Sequence, residues 1–495
     1  MDSQKPVRTR FAPSPTGRMH LGSGRTALFD YLLSRQTGGK FILRLEDTDV
    51  KRFVPGSEEE LMHGLHWLGI DWDEGIGVGG LHGPYRQSER KETYQKYARE
   101  LIKNGHAYYC FCTPERLERV RQEQMKNKGS LHYDRTCRNL SPEETAERVA
   151  RGESHVVRFK MPLEGTITCY DRLRGAITVE NRNLDDYILV KSDGLALYHL
   201  AAMVDDHLME VTHVIRGSEW LSTFPLHVHI IRAFDWPEPE WIHLSIFLKP
   251  SGKGKMSKRE TAQWMQDGHS IFIGDLEALG YLPEAVVNWI ALMGWSYDDH
   301  TEFFTLEDLV EKFSLDHLNP APAAINFSKL DHFNGMHIRA LPVPELARRL
   351  QPYFKTAGYD LDLAQIEKFT PLIRERMVTL DEGPEVAGFL LQDNLEFDPE
   401  ELVGKKMRPD ESAEAARRAY HILDALPEIG PKTAEEPLRA LAEEMGLKPG
   451  QLFGILRVAI TGRSISPPLL ESMAILGKQK SLDRLQKAIQ TLEAL

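Results

Sequence analysis

The order of strand-like and helix-like segments over residues 7–110 constrains this chain most. An apolar run at 7–12 leads into a turn rich in proline and glycine, and residues 25–35 then have the pattern of a helix. A second strand-like run, 41–45, continues the alternation. Alternating strands and helices predict a parallel sheet with helices on its faces and a ligand at the carboxyl ends of the strands. We therefore expect an α/β, Rossmann-like domain.

Two further helices are expected in this region. Ser57 precedes Glu58, Glu59 and Glu60, so we expect the serine to cap a helix whose first turn holds acids, where the helix dipole favours them. Another amphipathic helix is expected from about residue 89 to residue 104.

The pattern changes twice further along the chain. From about 108 to 184, cysteines, charged helical turns and short strands such as 155–160 predict an inserted α+β subdomain. The alternation resumes with strand-like runs at 187–190 and 211–215. Beyond about Pro342 amphipathic helices continue to the last residue, so we expect an all-α C-terminal half.

Composition excludes several classes of protein. The net charge of −12 argues against a protein that coats DNA or other nucleic acid nonspecifically, although local basic clusters still permit RNA binding. The polar start, and the absence of a run of about 18 apolar residues, predict neither a signal peptide nor a membrane span. We therefore expect a cytoplasmic protein. Four cysteines in 495 residues predict no disulfide framework.

Two short segments carry the strongest chemical signal. The turn after the first strand contains Gly17, His20 and Gly22 just before a helix, where backbone N–H groups can bind phosphate. Far downstream, Lys255 and Lys258 follow a glycine-containing segment, which suits cations that close over polyphosphate. The ordinary alternatives are an exposed histidine in a turn and a solvated charge run. Together the two segments predict nucleotidyl transfer from ATP.

In this order the two segments resemble the two signatures of class I aminoacyl-tRNA synthetases. Many members have a second histidine where this chain has Ser23, so the chemistry falls to His20. Other segments resemble bacterial glutamyl-tRNA synthetases along the whole chain, namely 9–17, 44–49, 83–90, 204–207, 214–220, 325–335 and 456–463.

The resemblance implies a set of site residues. Those of the glutamate pocket are Arg10, Ala12, Ser14, Glu46, Tyr198, Arg216 and Trp220, and those that contact ATP are His20, Gly22, Glu219, Lys255 and Lys258. His20, Lys255 and Lys258 are the expected catalytic residues. Glu46 suits the substrate ammonium, and the arginines suit its carboxylates. The alternatives are a helix-capping acid for Glu46 and a surface ion pair for Arg216.

Three cysteines of the inserted subdomain predict a zinc site. Cys110 and Cys112 form a C-x-C pair, and Cys137 follows later in the chain. Zinc-containing relatives use C-x-C with either C-x-H or Y-x-x-x-C. The histidine position of the first pattern is Asn139, whereas Tyr133 and Cys137 fit the second. His132 is intrinsically the better fourth ligand, because phenol titrates near ~10. Three reduced, packed cysteines are the alternative.

The resemblance implies a glutamate–tRNA ligase that uses ATP with Mg²⁺, L-glutamate and tRNA(Glu), and that works as a monomer. Three other possibilities are a glutaminyl-tRNA synthetase, a tRNA-modifying glutamylating paralogue and a catalytically silent tRNA-binding homologue. The helical C-terminal half opposes the first two, and the intact signatures oppose the third. Whether tRNA(Gln) is also charged is left open.

The anticodons of tRNA(Glu) and tRNA(Gln) differ at their third base, which is C in one and G in the other. A discriminating enzyme must read this base on its Watson–Crick edge. Arg376 stands where discriminating relatives use arginine for this purpose, so we expect a discriminating enzyme. A solvated or ion-paired arginine is the alternative.

The expected domain organisation has five segments. They are a first Rossmann half (1–108), an inserted subdomain that binds the acceptor stem (109–186), a second Rossmann half (187–255), the lysine loop with a helical stem-contact domain (256–325), and helical anticodon-binding domains (326–495).

Overall fold

The computed structural model describes residues 6–127, 131–254 and 261–495. Contacts divide the chain into two compact units. The first takes the chain up to Leu276 together with Val286–Phe327, and the second takes Glu277–Ala285 together with Ser328–Leu495. Among the described residues, each helix is too short or too polar to span a lipid bilayer.

The strands all belong to the first unit. They are β1 Arg8–Phe11, β2 Lys40–Leu43, β3 Glu74–Gly75, β4 Ala107–Cys110, β5 Val156–Phe159, β6 Thr166–Asp171, β7 Gly175–Glu180, β8 Ile188–Val190, β9 His213–Gly217, β10 Glu240–Leu244, β11 Phe247–Leu248 and β12 Ala323–Ala324.

Helices surround these strands in the first unit and make up the second. They are α1 Leu21–Gln36, α2 Ser57–Trp67, α3 Lys91–Lys103, α4 Pro114–Lys126, α5 Pro142–Ala150, α6 Tyr198–Leu208, α7 Phe224–Ala233, α8 Thr261–Gln266, α9 Ile273–Ala278, α10 Pro283–Leu292, α11 Leu306–Lys312, α12 Phe327–Ala340, α13 Val343–Thr356, α14 Leu363–Ile373, α15 Gly383–Leu391, α16 Pro399–Leu402, α17 Pro409–Ala425, α18 Pro431–Glu444, α19 Pro449–Thr461, α20 Leu469–Leu476 and α21 Lys478–Glu493.

The central sheet is parallel and Rossmann-like. β2 pairs with both β1 and β3, while β10 pairs with both β9 and β6, and all four pairings are parallel. The two sets of strands meet where the Thr212 N–H donates to the Arg8 carbonyl oxygen at 2.9 Å. The strand order is therefore β3-β2-β1-β9-β10-β6, with β7 antiparallel at the edge. Ligands bind where such an order reverses, which here is between β1 and β9.

The segment between β3 and β9 forms two structures. β4, β5 and β8 make a small antiparallel sheet that packs with α4 and α5 as an α+β subdomain. The β6–β7 hairpin instead extends the central sheet, because Asp171 at the end of β6 lies opposite Trp241 of β10. The inserted segment thus contributes β6 and β7 to the central sheet, next to β10.

The second unit is helical and has two main apolar cores. One core is built from α12 to α15 and includes Leu346, Phe354 and Phe369. The other is built from α16 to α21 and includes Leu456 and Leu485. The fold is therefore a Rossmann-like domain with an inserted α+β subdomain, followed by an all-α half, as the sequence predicts.

Two local expectations differ from the structure. Helix α1 begins at Leu21, four residues before the predicted start, because His20 caps it and histidine is not an ordinary capping residue. Ser57 is the first residue of α2 and not its cap. The capping position is Gly56, in a left-handed conformation with φ of 80°, and the Ser57 hydroxyl donates to the Val54 carbonyl oxygen.

Candidate active site

His20 lies between β1 and α1, at the point where the strand order reverses. Its Nδ1 accepts hydrogen bonds from the backbone N–H groups of Gly22 at 3.0 Å and Ser23 at 3.3 Å. A Cβ atom on Gly22 would lie 2.9 Å from the imidazole Cε1, so glycine is needed for this close approach. Because Nδ1 accepts, the ring proton lies on Nε2, and the imidazole can donate it to a phosphate oxygen.

Glu46 follows β2 and is buried, with a hydrogen bond from Nη2 of Arg44 at 3.2 Å. Burial raises the pKa of Glu46 to about 7, although Arg44 and Arg10 both act to lower it. A cationic group beside this carboxylate would restore its charge. Glu46 is therefore suited to bind an ammonium group.

A buried array of ion pairs supports Glu46 and Arg10. Asp206 accepts from Nε of Arg10 at 3.1 Å and from Nη1 of Arg44 at 2.8 Å. Burial acts to raise the pKa of Asp206, but the two guanidinium groups outweigh it and the pKa is lowered. The neighbouring Asp205 accepts from Nε of Arg90 at 2.7 Å. These pairs fix the side chains that line the carboxyl ends of β1 and β2.

Arg216 on β9 is buried, and none of its hydrogen-bond partners among the described residues is a carboxylate. Its Nε donates to Nε2 of His243 at 3.0 Å, its Nη2 lies 3.1 Å from Nδ1 of His227, and its Nη1 lies 3.4 Å from the Tyr198 hydroxyl. Burial lowers the pKa of Arg216 below its ordinary value. A buried guanidinium of this kind attracts an anion strongly.

Tyr198 connects the two sides of the site. Its ring stacks on Trp220 with centroids 4.1 Å apart. Burial raises the pKa of Tyr198, Arg216 and Arg10 act to lower it, and Glu46 acts to raise it. All three charges therefore lie close enough to act on the same phenol. Ala12 and Ser14 lie in the segment after β1, half-buried and exposed respectively.

Of the remaining residues expected to contact ATP, the structure describes Glu219. Glu219 is exposed in the short 3-10 helix Ser218–Thr223. Its charge acts on the guanidinium of Arg25, whose pKa burial lowers to about 10. Lys255 and Lys258 lie outside the described residues.

Sequence reasoning did not assign several residues that build this site. They are Arg44, Asp171, Asp205, Asp206, His227 and His243. The signal for two of them is present in the sequence, because Asp205 and Asp206 interrupt an otherwise apolar stretch of α6. Two adjacent acids that are buried on a helix need buried cations as partners.

The three predicted cysteines come together in the inserted subdomain. The Sγ atoms of Cys110, Cys112 and Cys137 all lie within 4.8 Å of one another, and His132 is not part of this group. The Tyr133 hydroxyl lies 3.2 Å from Sγ of Cys110 and 3.4 Å from Sγ of Cys112. Zn–S bonds of about 2.3 Å place tetrahedral thiolates close to these separations. Three thiols and one phenol thus fit a zinc ion.

Arg376 lies in the turn after α14 rather than in a helix, and its side chain is exposed. It lines an open cavity of about 1130 Å³ in the second unit together with Thr461, Arg463 and Ile465. Burial lowers the pKa of Arg457, and the charge of Arg376 lowers it further. The cavity thus combines arginines with acids, among them Glu385 paired with Arg463, and with an exposed apolar side chain.

A Rossmann-like sheet with a histidine at the start of α1 is the arrangement expected of the catalytic domain of a class I tRNA synthetase, and the second unit is helical. The family model described as "tRNA synthetases class I (E and Q), catalytic domain" matches residues 6–332. A second model, described as "Anticodon binding domain", matches residues 345–489.

Individual relatives indicate which kind of class I tRNA synthetase the chain resembles. A glutamate–tRNA ligase of Dehalococcoides mccartyi is 44% identical over 494 residues, which cover 99% of each chain. One of Roseiflexus castenholzii is 44% identical over 502 residues, covering 99% of this chain and 97% of the relative. A crystal structure of a glutamate–tRNA ligase from Elizabethkingia meningosepticum, in complex with its amino acid, has a TM-score of 0.90 and 35% identity, covering 99% of this chain and 100% of that one. The chain therefore belongs to the glutamate–tRNA ligase family of class I tRNA synthetases.

Proposed function

We propose that the protein joins L-glutamate to the 3′-terminal ribose of tRNA(Glu) in two steps. In the first step an oxygen of the glutamate α-carboxylate bonds to the α-phosphorus of ATP, and pyrophosphate leaves. In the second step a ribose hydroxyl bonds to the glutamyl carbonyl carbon, and AMP leaves. The protein needs to supply orientation and charge rather than a covalent nucleophile.

The observation that carries this proposal is the buried Arg216, which has no carboxylate partner among the described residues. We assign this guanidinium to the side-chain carboxylate of glutamate. An amide in the same place would leave part of the guanidinium unpaired, so glutamine is rejected. Arg10 pairs with the α-carboxylate and Glu46 with the ammonium group, while Ala12, Ser14, Tyr198 and Trp220 complete the pocket.

His20 is assigned to the α-phosphate of ATP, with its Nε2–H donating to a phosphate oxygen. The backbone N–H groups in the first turn of α1 are already bonded to Ile271 and His20, so the imidazole supplies the donor, and Gly22 allows its close approach to the helix. Glu219, Lys255 and Lys258 are assigned to ATP as well, and the two lysines stabilise the charge of the departing pyrophosphate. Mg²⁺ enters with ATP.

We assign a zinc ion to Cys110, Cys112, Cys137 and Tyr133. The clustering of the thiols and the position of the Tyr133 hydroxyl support this set. The ion would hold β4 and the chain around Cys137 together, so its role is structural.

The tRNA contacts are assigned by segment. The inserted subdomain 109–186 would meet the acceptor stem, 256–325 the inner stem, and 326–495 the anticodon. The cavity around Arg376 supports the last assignment, because its exposed guanidinium suits a base edge and exposed Ile465 suits an unstacked base. A monomer acting in the cytoplasm, where tRNA is charged for translation, completes the proposal.

The deciding experiment measures charging of purified tRNA(Glu) and tRNA(Gln) with glutamate and with glutamine. We expect glutamate on tRNA(Glu) and no use of glutamine. Arg216→Ala should lose about 2–5 kcal/mol of transition-state stabilisation with glutamate, because it leaves the substrate carboxylate buried and unpaired. Arg232→Ala, which breaks an exposed ion pair with Glu238, is the matched control. A parental KM and kcat in the Arg216 variant would overturn the pocket assignment.

A non-discriminating enzyme is the second candidate. The exposure of Arg376 at the end of α14 supports the discriminating form, because a base can reach the guanidinium. Equal charging of tRNA(Glu) and tRNA(Gln) by the unmodified protein would establish the second candidate instead.

A further inference from the structure

A chain of buried side chains lies behind Arg216, and the proposed reaction does not by itself account for it. Nδ1 of His243 lies 2.8 Å from Oδ2 of Asp171, and Nε2 of the same ring accepts from Nε of Arg216 at 3.0 Å. On the other side, Nη2 of Arg216 lies 3.1 Å from Nδ1 of His227, whose Nε2 lies 3.0 Å from Nδ1 of His199.

Hydrogen-bond chemistry fixes the protons along this chain. A guanidinium group only donates, so both imidazole nitrogens that face Arg216 must carry lone pairs. His243 therefore carries its proton on Nδ1 and donates it to Asp171, and His227 carries its proton on Nε2 and donates it to His199. Both rings are neutral, and burial lowers the pKa of His243 to about 4 and that of His227 well below 6.5.

Asp171 is itself held in place. Its Oδ1 accepts from the backbone N–H groups of Leu173 and Arg174, both at 3.0 Å, and its Oδ2 accepts from the backbone N–H of His243 at 2.9 Å. The carboxylate cannot turn towards Arg216 without breaking these bonds. It therefore orients the His243 ring and does not itself bond to the guanidinium.

These contacts leave part of Arg216 available. They use Nε–H and one N–H on each of Nη1 and Nη2, so one N–H on each terminal nitrogen has no partner among the described residues. Two such groups are what a bidentate bond to a carboxylate requires. A carboxylate in the place of either imidazole would neutralise the guanidinium before substrate arrived. A neutral imidazole fixes the position of the guanidinium and does not neutralise its charge.

We propose that Asp171, His243 and His227 are positioning residues for Arg216, and that they reserve its charge for the side-chain carboxylate of the substrate. The inference rests on the proposed function, because it takes Arg216 as the residue that binds this carboxylate. It adds that the selection of glutamate over glutamine depends on side chains that do not contact either amino acid.

The first test removes and restores the acceptor on His227. In His227→Leu, one Arg216 N–H loses its buried acceptor, and we expect the KM for glutamate in tRNA-dependent pyrophosphate exchange to rise roughly ten- to hundredfold. The kcat at saturating glutamate should change less than about threefold, and the KM for ATP should stay parental. In His227→Asn, Oδ1 replaces Nδ1 as the acceptor and most of the glutamate affinity should return.

His229→Leu is the matched control. His229 lies on the same helix, α7, is likewise kept neutral by burial, and is hydrogen-bonded to Asn181 at 2.9 Å instead of to Arg216. The control should leave the KM for glutamate unchanged. Equal KM increases in His227→Leu and His229→Leu, or a loss of kcat alone, would indicate a general packing role and overturn the proposal.

The second test determines by NMR which nitrogen of each imidazole carries the proton. In protein labelled with ¹⁵N-histidine, NMR should find His243 protonated on Nδ1 and His227 protonated on Nε2 at neutral pH. Asp171→Asn should reverse the His243 tautomer, because the amide can donate where the carboxylate accepts, and should raise the KM for glutamate. An imidazolium or the opposite tautomer at either ring in the parental protein would overturn the proposal.

Arg216→Ala, assayed in parallel, distinguishes a failure of the positioning role from a failure of the proposed function. A large glutamate defect in Arg216→Ala with parental values in Asp171→Asn and His227→Leu would overturn the positioning role and leave the proposed function intact. A parental KM in Arg216→Ala would overturn the pocket assignment, and the positioning role with it.

Discussion

Nδ1 of His20 accepts the backbone N–H of Gly22 at 3.0 Å, so the residue assigned to phosphate binding also caps the helix that presents it. The two roles use opposite nitrogens of the ring. They can therefore be separated by a side chain that keeps the acceptor and has no donor at the position of Nε2.

Asparagine at position 20 makes this separation. In His20→Asn the amide oxygen can replace Nδ1 as the cap, so the thermal midpoint should stay close to the parental value. Pyrophosphate exchange should fall about a hundredfold or more, because the shorter amide places no donor where Nε2–H stood. His20→Ala should lose both activity and stability. Parental exchange in the asparagine variant would show that the imidazole does not act on ATP.

Lys258→Ala should depress adenylate formation far more than glutamate binding, because the lysine is assigned to charge that develops on departing pyrophosphate. Pyrophosphate exchange with tRNA present measures the effect. Lys253→Ala, which changes an exposed lysine in the preceding segment, is the control. Exchange within about twofold of the parental rate would remove this assignment.

Glutamate use should depend on pH through Glu46, whose pKa burial raises to about 7 in the free protein. The carboxylate binds the substrate ammonium only when it is ionised, so kcat/KM for glutamate should fall as the pH drops below about 7 and level off above it. Glu46→Gln should have a low kcat/KM without this step. A step that persists unchanged in the glutamine variant must come from another group.

Purified protein should contain about one zinc ion per chain. Elemental analysis of Cys137→Ser should show its loss, while Cys169→Ser should keep the metal, because Cys169 is buried away from the cluster. In Tyr133→Phe the metal should be held more weakly and lost first to a chelator. A zinc-free protein from zinc-supplemented medium would refute the site.

Arg376→Gln should allow tRNA(Gln) to be charged with glutamate, since the arginine is assigned to recognition of the third anticodon base. Glutamate activation should stay near parental, because the change lies in the helical half. Arg408→Gln alters an exposed arginine of the same unit outside the cavity and should leave tRNA selection unchanged. If both variants select tRNA as the parental protein does, other residues must discriminate between tRNA(Glu) and tRNA(Gln).

The sequence predicts what local pattern determines. Strands β1 and β2 and the acids in the first turn of α2 lie where apolar runs and the helix dipole indicate. The cysteine cluster is local in part, because Cys110 ends β4 and Cys112 follows two residues later.

The sequence does not predict what the pairing of distant strands determines. Asp171 meets His243 only because β6 joins the edge of β10, and no pattern near either residue indicates that contact. Arg44 follows an apolar strand like an ordinary polar residue, yet it is fully buried because α6 brings Asp205 and Asp206 beside it. Such partners become visible only once the whole sheet is assembled.

The bond between Thr212 and Arg8 has a consequence for how the protein is made. β1 emerges from the ribosome about 200 residues before its neighbour β9. At ~5–20 residues per second, β1 waits roughly 10 to 40 s for that neighbour. During this interval the small sheet of β4, β5 and β8 can close on its own, whereas one edge of β1 stays open to cellular chaperones.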